Sequence, residues 1–215
     1  MSLRIALIGA GGHAKVVAAS LRRLGWTLVG CVDEVNACAD GALFEGVPLA
    51  GPAALTAWGG PAGLALHVAI GDNGVRRARV ESLRAAGWHL PAVIDPSAVL
   101  AAALAPGAGS YVGPLAVLNP GASIGAAVIV NSGAIVEHDC VLADAVHLAP
   151  RSVLGGHARV GEQSFIGMGS ILRDRAEVGA RVVLGAGSLV LRTLPSDCLA
   201  WGVPARVRTA VGSLA

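Results

Sequence analysis

A histidine followed directly by an aspartate, His138 and Asp139, forms a pair of side chains suited to proton transfer. An imidazole has an ordinary pKa of about 6.5, so it can accept a proton near neutral pH. A carboxylate beside the ring can hold it in one tautomer and stabilise the charged form. The pair is therefore a candidate general base, and such assistance typically accelerates a reaction about 10²–10⁴-fold.

A glycine-rich turn near the N-terminus has the spacing of an anion-binding loop. Gly9-x-Gly11-x-x-Ala14 follows an apolar segment at residues 4–8, and Asp33 lies about 20 residues further on, which satisfies the dinucleotide fingerprint. That spacing would suit an NAD-dependent oxidoreductase. Backbone amides at a helix N-terminus bind any anion, however, including the pyrophosphate of a nucleotide sugar. The turn alone leaves both ligands open.

The elements that must position these residues are of two kinds, and the first occupies residues 1–92. Strand-like and helix-like segments alternate there, with strands at 4–8, 28–32 and 64–70 and helices at 15–24 and 75–86. Such alternation predicts βαβ units around a parallel sheet. We therefore expect a Rossmann-like α/β domain over residues 1–92.

Residues 93–194 follow a six-residue period instead. Counting in sixes from Val112 to Val190 gives fourteen positions, all of them Val, Leu or Ile. The residue two places earlier is always small or β-branched. One repeat predicts a short strand and a corner, and three repeats make one coil of a triangular β-helix with parallel strands about 4.8 Å apart. The residue one place later is glycine at seven positions: Gly113, Gly125, Gly155, Gly161, Gly167, Gly179 and Gly185.

The period also predicts where side chains lie. The aliphatic residue should face the interior, and the glycine after it should supply a backbone conformation that a Cβ would forbid. Because coils repeat every 18 residues, Asp139 should lie beside His157, and His138 beside Gly156. Asp139 could therefore support His157 instead of His138. We expect a capping segment at residues 195–215, since the end coil needs cover.

Composition excludes several classes of protein. The 215 residues are 54% apolar and 3% aromatic, with a mean hydropathy of +0.66, which excludes a disordered chain. No uninterrupted run of about 18 apolar residues occurs, so no membrane span is predicted. A net charge of +2 from intermixed residues argues against a nucleic-acid partner. Four cysteines without disulfide-scaffold or metal-site spacing predict reduced thiols and a cytoplasmic location: Cys31, Cys38, Cys140 and Cys198.

The six-residue period and the ending Gly202-Val203-Pro204-Ala205 resemble left-handed parallel β-helix acyltransferases. Gly9-x-Gly11-Gly12-His13, Asp33-Glu34 and the Ala-Ile-Gly-Asp-Asn segment at 69–73 narrow the resemblance to hexapeptide-repeat sugar acetyltransferases. These include sialic acid O-acetyltransferases and N-acetyltransferases of nucleotide-linked 4-amino-4,6-dideoxy sugars. The resemblance extends over essentially the whole chain. It implies left-handed coils, where the general rule for parallel crossovers would predict right-handed ones, and a homotrimer with sites between neighbouring subunits.

The resemblance implies roles for individual residues. Segment 131–140 matches the family's active-site stretch, which implies His138 as general base and Asp139 as its acidic support. It implies acetyl-CoA as co-substrate and no metal. Acetyl-CoA contacts would come from His147, Gly156, Met168 and Ala186, where Gly156 would leave room for the thioester. Contacts to the nucleotide sugar would come from Gly11, Gly12, His13, Asp33, Glu34 and Gly71.

The remaining candidate residues are one alanine, two histidines and three arginines. The resemblance implies glycine at the position of Ala186. Alanine is compatible with a contact through its backbone amide, but not with a need for positive φ. His67 and His89 match no motif and are expected to be structural. Three arginines are candidates for the phosphates of CoA, with simple solvated charge as the alternative: Arg173, Arg192 and Arg206.

We therefore expect an acetyl-CoA-dependent N-acetyltransferase that acts on the 4-amino group of a nucleotide-linked 4-amino-4,6-dideoxy sugar, with GDP-perosamine favoured. A UDP-linked amino sugar and a sugar hydroxyl, as in the sialic acid type, are the alternatives. A zinc hydratase of the β-helix class is a remote one, because the three C-terminal histidines lack that family's His-x₄-His pair. An NAD-dependent oxidoreductase would have to use the N-terminal turn alone. Polysaccharide biosynthesis is the expected context, and the downstream glycan stays open.

Overall fold

A computed structural model describes residues 2–33 and 41–210 as an α/β domain, a parallel β-helix and a terminal hairpin. The sheet of the α/β domain has the strand order β3-β4-β2-β1-β5, in which β4, β2, β1 and β5 are parallel and β3 is antiparallel. The elements of this domain are β1 (Arg4–Ile8), α1 (Gly12–Arg23), β2 (Thr27–Val32), β3 (Leu43–Phe44), β4 (Val47–Ala50), α2 (Ala54–Ala57), α3 (Gly60–Gly63), β5 (Ala65–Val68) and α4 (Asn73–Ala85).

Local sequence explains the elements that border the glycine-rich turn. In β1, which pairs with β2 on one side and β5 on the other, Ile5 and Leu7 are fully buried. Helix α1 buries Ala14, Val17, Ala18 and Leu21, which recur at the spacing of one helix face. Helix α4 begins after Asp72, whose Oδ1 accepts a hydrogen bond from the Val75 amide at 2.8 Å and so caps the helix. Both helices therefore start beside the carboxyl ends of β1 and β5.

The β-helix consists of sixteen two-residue strands, β6–β21, and begins at Val93, the first residue of the predicted second region. The strands are β6 (Val93–Ile94), β7 (Val99–Leu100), β8 (Tyr111–Val112), β9 (Val117–Leu118), β10 (Ser123–Ile124), β11 (Ile129–Val130), β12 (Ile135–Val136), β13 (Val141–Leu142), β14 (His147–Leu148), β15 (Val153–Leu154), β16 (Arg159–Val160), β17 (Phe165–Ile166), β18 (Ile171–Leu172), β19 (Glu177–Val178), β20 (Val183–Leu184) and β21 (Leu189–Val190).

Three sheets form the walls of the β-helix. Sheet 1 contains β6, β8, β11, β14, β17 and β20; sheet 2 contains β7, β9, β12, β15, β18 and β21; sheet 3 contains β10, β13, β16 and β19. Neighbouring strands from β8 to β21 are parallel and pair residues 18 apart, as in Ile129 with His147 and His147 with Phe165. The predicted coil of three six-residue repeats is therefore confirmed.

The interior contains the aliphatic residues that the period selects. All fourteen are the second residue of a strand, from Val112 in β8 to Val190 in β21. Each is at most 6% exposed. The narrow prism is thus filled by branched aliphatic side chains, which accounts for an aromatic content of 3%.

The repeat glycines serve close packing between coils, which corrects the expectation that they supply an unusual backbone conformation. None of the seven has a positive φ. A methyl group on Gly161 would lie 2.5 Å from the Ala180 amide nitrogen in the next coil. Left-handed φ recurs instead every six residues from 109 to 187, and nine of those fourteen residues are not glycine. Hydrogen bonds between coils hold these corners, as when the His157 amide donates to the His138 carbonyl at 2.9 Å.

A terminal hairpin covers the last coil where the sequence predicted a cap. Its strands are β22 (Cys198–Gly202) and β23 (Ala205–Ala210). Strand β22 pairs in parallel with β20 and so extends sheet 1. The cysteines within the described residues, Cys31, Cys140 and Cys198, are buried, and Cys140 and Cys198 are free thiols.

Sheet 1 and the α/β domain share a continuous core. Val93, Tyr111 and Ile129 project from sheet 1 into the cluster built around α1 and β1. The Ser20 hydroxyl of α1 donates to Asp95 at 2.6 Å and lies 2.9 Å from the Tyr111 hydroxyl. The two units are therefore packed through both apolar and hydrogen-bonded contacts. Across residues 2–33 and 41–210, no helix is both long enough and apolar enough to cross a membrane.

Candidate active site

His138 and Asp139 occupy a corner between sheets 2 and 3, directly after β12. Asp139 has a φ of 60°, which turns the chain sharply enough for the two adjacent side chains to meet. His138 Nδ1 lies 2.8 Å from Asp139 Oδ2. The neutral ring therefore donates its Nδ1 proton to the carboxylate, and Nε2 is left as the proton acceptor. This is the arrangement that a general base requires.

Neighbouring carboxylates make His138 more basic. The hydrogen bond to Asp139 raises the pKa of His138 above its ordinary value, and the negative charges of Asp139, Glu137 and Asp174 add to the effect. The same hydrogen bond lowers the pKa of the Asp139 carboxyl, so that group stays ionised. The side chains of His138 and Asp139 are both about half exposed, at 55% and 50%, so a ligand can reach the ring.

The next coil stacks Gly156 and His157 against this pair, as the 18-residue repeat predicts. A methyl group on Gly156 would lie 2.6 Å from His138 Nε2. The space beside Gly156 is therefore occupied by the imidazole itself, which corrects the expectation that it is left open for a thioester. His157 Nε2 lies 3.7 Å from Asp139 Oδ2. Asp139 is thus hydrogen-bonded to His138, and the alternative in which it supports His157 instead is not found.

A cavity of about 470 Å³ opens at the carboxyl end of the parallel sheet in the α/β domain. It is lined by five residues that the sequence predicted to bind a nucleotide sugar: Gly11, Gly12, His13, Asp33 and Gly71. The sixth, Glu34, lies outside the described residues. A methyl group on Gly11 or Gly12 would meet nothing within 4 Å, so their missing side chains leave open space in the cavity.

Sequence reasoning missed the contribution of α4 to this cavity. Val75 and Arg79 line it together with Ile70. The two helix residues are four positions apart and therefore lie on one face of the helix. Because a helix was predicted to start at residue 75, this spacing of four residues could have indicated that both side chains face the cavity.

Three histidines lie where the α/β domain meets sheet 1: His67 is buried, and His13 and His147 are half-buried. His13 contacts Tyr111 edge-on at 5.3 Å between ring centroids and lies 6.4 Å from His147. Burial lowers the pKa of His13 to about 4 and that of His67 and His147 to about 3, and the positive charge of Arg76 contributes to each shift. All three rings are therefore neutral near pH 7.

Each of these histidines has one buried nitrogen without a hydrogen-bond partner among the described residues: His13 Nε2, His67 Nδ1 and His147 Nδ1. His147 lies on β14 with its ring 5.0 Å from that of Phe165. Its other nitrogen, Nε2, is 3.5 Å from the Asn131 amide. The His147 ring as a whole is half-buried and neutral. His67, by contrast, is only 1% exposed and fits the structural role expected of it.

The remaining residues predicted to contact acetyl-CoA lie on the corner between sheets 1 and 2. Met168 is 59% exposed, and Ala186 stands beside it in the next coil, also exposed. Ala186 has no positive φ, so alanine is accommodated there without backbone strain. The arginines considered for the phosphates are all exposed: Arg173, Arg192 and Arg206.

The predicted site residues thus form two groups within one chain. The cavity of the α/β domain and His147 lie on the sheet 1 side of the β-helix. His138, Asp139 and Gly156 lie on the corner between sheets 2 and 3 and are not among the residues that line the cavity. One nitrogen or carboxylate oxygen from each of His138, Asp139 and His157 lies within 4.8 Å of the other two. This spacing is compatible with a bound cation.

Comparison with known proteins identifies the family. Residues 4–83 match the model of the PglD N-terminal domain. A mutant of GDP-perosamine N-acetyltransferase from Caulobacter crescentus, solved in complex with CoA and GDP-perosamine, is 38% identical and superposes with a TM-score of 0.88. The match covers 96% of this chain and 97% of that chain. The chain belongs to the hexapeptide-repeat sugar acetyltransferase family.

Two further structures have the same architecture as this acetyltransferase. The acetyltransferase domain of PglB from Neisseria gonorrhoeae FA1090, in complex with acetyl coenzyme A, is 35% identical with a TM-score of 0.88. That match covers 97% of this chain and 100% of that chain. WeeI from Acinetobacter baumannii AYE is 26% identical, with 96% and 100% of the two chains covered and a TM-score of 0.85.

Membership of this family confirms two predictions from the sequence. The fold is a Rossmann-like domain followed by a left-handed parallel β-helix, and the enzyme is an acyltransferase. Family membership therefore argues against the two other enzyme classes considered from the sequence, an NAD-dependent oxidoreductase and a zinc hydratase.

Proposed function

We propose that this acetyltransferase transfers the acetyl group of acetyl-CoA to the 4-amino group of a nucleotide-linked 4-amino-4,6-dideoxy sugar, with His138 as the general base. The observation that carries the proposal is the 2.8 Å contact between His138 Nδ1 and Asp139 Oδ2. It leaves Nε2 unprotonated and directed away from its carboxylate support, as a base in acyl transfer must be.

In the reaction, the amine nitrogen forms a bond to the acetyl carbon while the bond from that carbon to sulfur breaks. His138 Nε2 accepts the proton that the nitrogen must lose, and Asp139 stabilises the resulting imidazolium. The same proton then passes to the sulfur, so the products are the N-acetyl sugar and free CoA thiol. His138 ends each turnover in its starting form, and the chain itself is not consumed.

Acetyl-CoA supplies the activated acetyl group, and four residues are proposed to hold it. His147 is proposed because its ring is half-buried and neutral and lies on the outside of β14. Met168 and Ala186 offer an exposed path along the outside of the coils. Gly156 contributes indirectly: because it has no side chain, the His138 ring can pack against its backbone in the next coil.

The nucleotide sugar is assigned to the cavity of the α/β domain. Gly11 and Gly12 precede and begin α1, so backbone amides at a helix start can receive the pyrophosphate. His13, Asp33 and Gly71 line the same space, and Glu34 follows Asp33 in the sequence. GDP-perosamine is the favoured substrate, because the 38% identical relative was solved with that ligand. A UDP-linked amino sugar is the alternative, because backbone amides at a helix start bind the pyrophosphate of either nucleotide.

A homotrimer is proposed from one apolar wall of the β-helix. The first residues of the sheet 2 strands point outward and stack in register. All six are aliphatic, whereas the equivalent positions of sheet 3 include Ser123, Arg159 and Glu177. We call this set the sheet 2 row: Val99, Val117, Ile135, Val153, Ile171 and Leu189.

The sheet 2 row explains why a neighbouring subunit would complete the site. An apolar strip of this length is unusual on the surface of a monomer and favours burial against a partner. His138 follows Ile135 by three residues, so it lies at the border of the strip. A second copy packed there would bring its own cavity and its own His147 toward His138. The residues proposed to bind the substrates would then lie beside the proposed base.

Turnover with candidate sugars tests the substrate. Purified enzyme, acetyl-CoA and GDP-perosamine should release free thiol together with a product heavier by one acetyl group, and the UDP-linked 4-amino sugar should react more slowly. Turnover of the UDP sugar alone would transfer the proposal to that substrate. Exclusive turnover of a sugar hydroxyl would contradict N-acetylation.

The His138→Asn variant tests the base. We expect kcat to fall about 10²–10⁴-fold with KM for the sugar nearly unchanged, because only the proton transfer is lost. A loss of less than about tenfold would reduce His138 to an orienting role. Addition of EDTA should leave the rate of the unmodified enzyme unchanged, which separates proton chemistry from a bound metal at the same side chains.

Cytoplasmic location and a role in polysaccharide biosynthesis complete the proposal. The reduced state of Cys140 and Cys198 is compatible with that compartment.

A further inference from the structure

The carboxylate of Asp139 lies between two imidazole rings. Its Oδ2 is 2.8 Å from His138 Nδ1 and 3.7 Å from His157 Nε2, and one donor atom of each residue lies within 4.8 Å of the other two. Donors around a tetrahedral zinc ion are about 3.3 Å apart, because Zn–N and Zn–O bonds are about 2.0–2.2 Å long. The distances of 2.8 and 3.7 Å bracket that spacing, so small rotations of the rings allow one ion to contact all three side chains.

The backbone places these side chains on hydrogen-bonded corners of the β-helix. Asp139 and His157 occupy the same corner position in successive coils, with φ values of 60° and 59°. The His157 amide donates to the His138 carbonyl at 2.9 Å and ties the two corners together. Side chains that leave equivalent positions on stacked coils start only about 4.8 Å apart. The three donors are therefore brought together by the fold itself, and an ion can bind without ordering a loop.

The cluster also has the exposure and the chemistry that zinc requires. The side chains of His138, Asp139 and His157 are 55%, 50% and 43% exposed, so an ion can enter and a water molecule can complete its coordination. Two imidazole nitrogens and one carboxylate oxygen form a ligand set of zinc sites with three protein ligands. Mg²⁺ and Ca²⁺ prefer oxygen ligands instead. The negative charges of Glu137 and Asp174, which act on the His138 ring, also attract a cation.

We propose that His138, Asp139 and His157 form an inhibitory zinc site, whose ion is not needed for acetyl transfer and stops it. The ion takes the place of the proton between His138 Nδ1 and Asp139 Oδ2. A neutral imidazole bound to a metal through one nitrogen carries its proton on the other. The proton therefore moves through solvent from Nδ1 to Nε2, and none is released. His138 then has no free nitrogen to accept the proton of the amine. This consequence rests on the proposed role of His138, whereas zinc binding does not.

The thiol of Cys140 is close in sequence but is not a ligand of this site. Cys140 is fully buried in the interior of the β-helix, and its thiol donates to the Gly155 carbonyl at 3.2 Å. Burial raises the pKa of this thiol to about 11, so the thiol stays protonated near neutral pH and is a poor metal ligand. Ser164 donates the equivalent hydrogen bond to Gly179 at 2.7 Å. Cys140→Ser is therefore a conservative control that preserves this contact.

Calorimetric titration with zinc chloride tests binding without any substrate. The unmodified protein should bind one ion tightly per chain. His157→Gln should weaken binding at least about tenfold, because loss of a group that only orients a metal ligand already costs about 10–100-fold. Glutamine is compatible with the corner, since Gln163 has the same backbone conformation with a φ of 58°.

Two control variants should bind zinc as tightly as the unmodified protein. Cys140→Ser tests the neighbouring thiol, and His89→Gln removes an exposed histidine of the α/β domain. Unweakened binding in His157→Gln, or weakened binding in either control, would overturn the assignment of the three ligands.

Nitrogen chemical shifts of ¹⁵N-labelled histidine test how the ion is held. The ring of His138 should carry its proton on Nδ1 in the metal-free protein, where that nitrogen lies 2.8 Å from Asp139. In the zinc complex the proton should be on Nε2. A His138 ring that keeps its Nδ1 proton when zinc is bound would overturn the proposed coordination.

Turnover tests the inhibition. Initial rates are followed by the mass of the acetylated sugar, with free zinc set by a metal buffer because the thiol of CoA also binds zinc. The zinc concentration that halves the rate should match the calorimetric Kd, and EDTA should restore the full rate. His157→Gln without zinc should keep its rate within about threefold and should need at least about tenfold more zinc for inhibition. Zinc that binds but leaves turnover unchanged would overturn the inhibitory role.

Failure of this proposal and failure of the general-base proposal give different results. If His138→Asn keeps full turnover while zinc binding is lost in His157→Gln, His138 is not the base and the metal site stands. If the unmodified protein binds no zinc while His138→Asn is inactive, the metal site is refuted and the role of His138 stands.

Discussion

The Arg76 guanidinium donates from Nε to the carbonyl oxygen of Ala127 at 2.7 Å and so joins α4 to a corner of the β-helix. Its other donors reach the Ala145 carbonyl, one coil further on, at 2.9 Å. The remaining acceptors lie in the cavity loop and the start of α4: Ile70, Gly71 and Asn73. Arg76 is 1% exposed, and burial lowers its pKa to about 10. The side chain is therefore still charged at neutral pH.

Replacement of Arg76 should loosen the cavity from the β-helix. Arg76→Met removes the donor from two buried carbonyl oxygens, those of Ala127 and Ala145, each costing about 1–3 kcal/mol, so the melting temperature should fall by about 10 °C. Differential scanning calorimetry measures it. Arg84→Met, on the exposed face of the same helix, is the control and should change it by no more than about 1 °C. Equal melting temperatures for the two variants would contradict a connecting role for Arg76.

The pH dependence of turnover should reflect the support that Asp139 gives to His138. The ordinary pKa of a histidine is about 6.5. Because the hydrogen bond to Asp139 raises the pKa of His138, kcat/KM should begin to fall with decreasing pH, along its acidic limb, at a value above that reference. Asp139→Asn removes that support, so the limb should move to lower pH while the plateau falls, since the tautomer is no longer held. A limb that stays in place after Asp139→Asn would assign it to another group.

Acid should destabilise the protein before its carboxylates titrate. The lowered pKa values of His13, His67 and His147 mean that the folded state leaves these rings neutral while the unfolded state protonates them near pH 6.5. Stability is therefore complete above about pH 6.5 and declines toward pH 4, by up to about 1.4 kcal/mol per ring per pH unit.

A variant at His67 isolates one of these three contributions. In His67→Gln the fall in melting temperature between pH 6.5 and 5 should be about one third smaller than in the unmodified protein. Both proteins are compared with their own values at pH 8, where neither state binds the proton. Parallel curves for the two proteins would show that His67 is not a source of the acid sensitivity.

Two glycines allow close packing to be separated from backbone strain. Gly161 lacks a positive φ, but a methyl group there would press on backbone atoms of Gly179 and Ala180 at 2.5 Å. Gly187 has a φ of 65° and nothing within 4 Å. Gly161→Ala should cost about 2–3 kcal/mol, and Gly187→Ala about 1 kcal/mol. Urea unfolding measures both losses of unfolding free energy. A larger loss in Gly187→Ala than in Gly161→Ala would indicate that backbone conformation, not close packing, is the reason for the repeat glycines.

The sheet 2 row should determine the oligomeric state. Ile171 is 47% exposed in the single chain, so Ile171→Glu should fold normally but bury a charge at any interface formed by that wall. Sedimentation should find a trimer for the unmodified protein, a monomer for Ile171→Glu, and little turnover in the monomer. Ser123→Glu, at the outward position of sheet 3, should remain trimeric. A trimeric Ile171→Glu would exclude the row as the interface.

Periodic packing is the part of this fold that sequence reasoning predicted best. The fourteen aliphatic positions and the 18-residue register both follow from a six-residue period, because a narrow prism admits only one side-chain orientation per strand. The contact of Asp139 with His157 followed from the same count. The residue that adopts left-handed φ was not predicted, since Leu115, Arg151 and other non-glycine residues take that conformation and hydrogen bonds between coils, not residue type, make it tolerable.

The amino-acid sequence by itself determined the sequence of short strands, the buried aliphatic column, the glycine-rich turn before α1 and the adjacency of His138 to Asp139, because each depends on neighbours along the chain or on a fixed repeat. Only the tertiary structure decided which ring Asp139 bonds, that His138 fills the space over Gly156, that α4 adds Val75 and Arg79 to the cavity, and that His13 and His147 are neutral. Those properties arise from interatomic distances in three dimensions and from burial between two separately patterned regions. Local pattern does not encode either quantity.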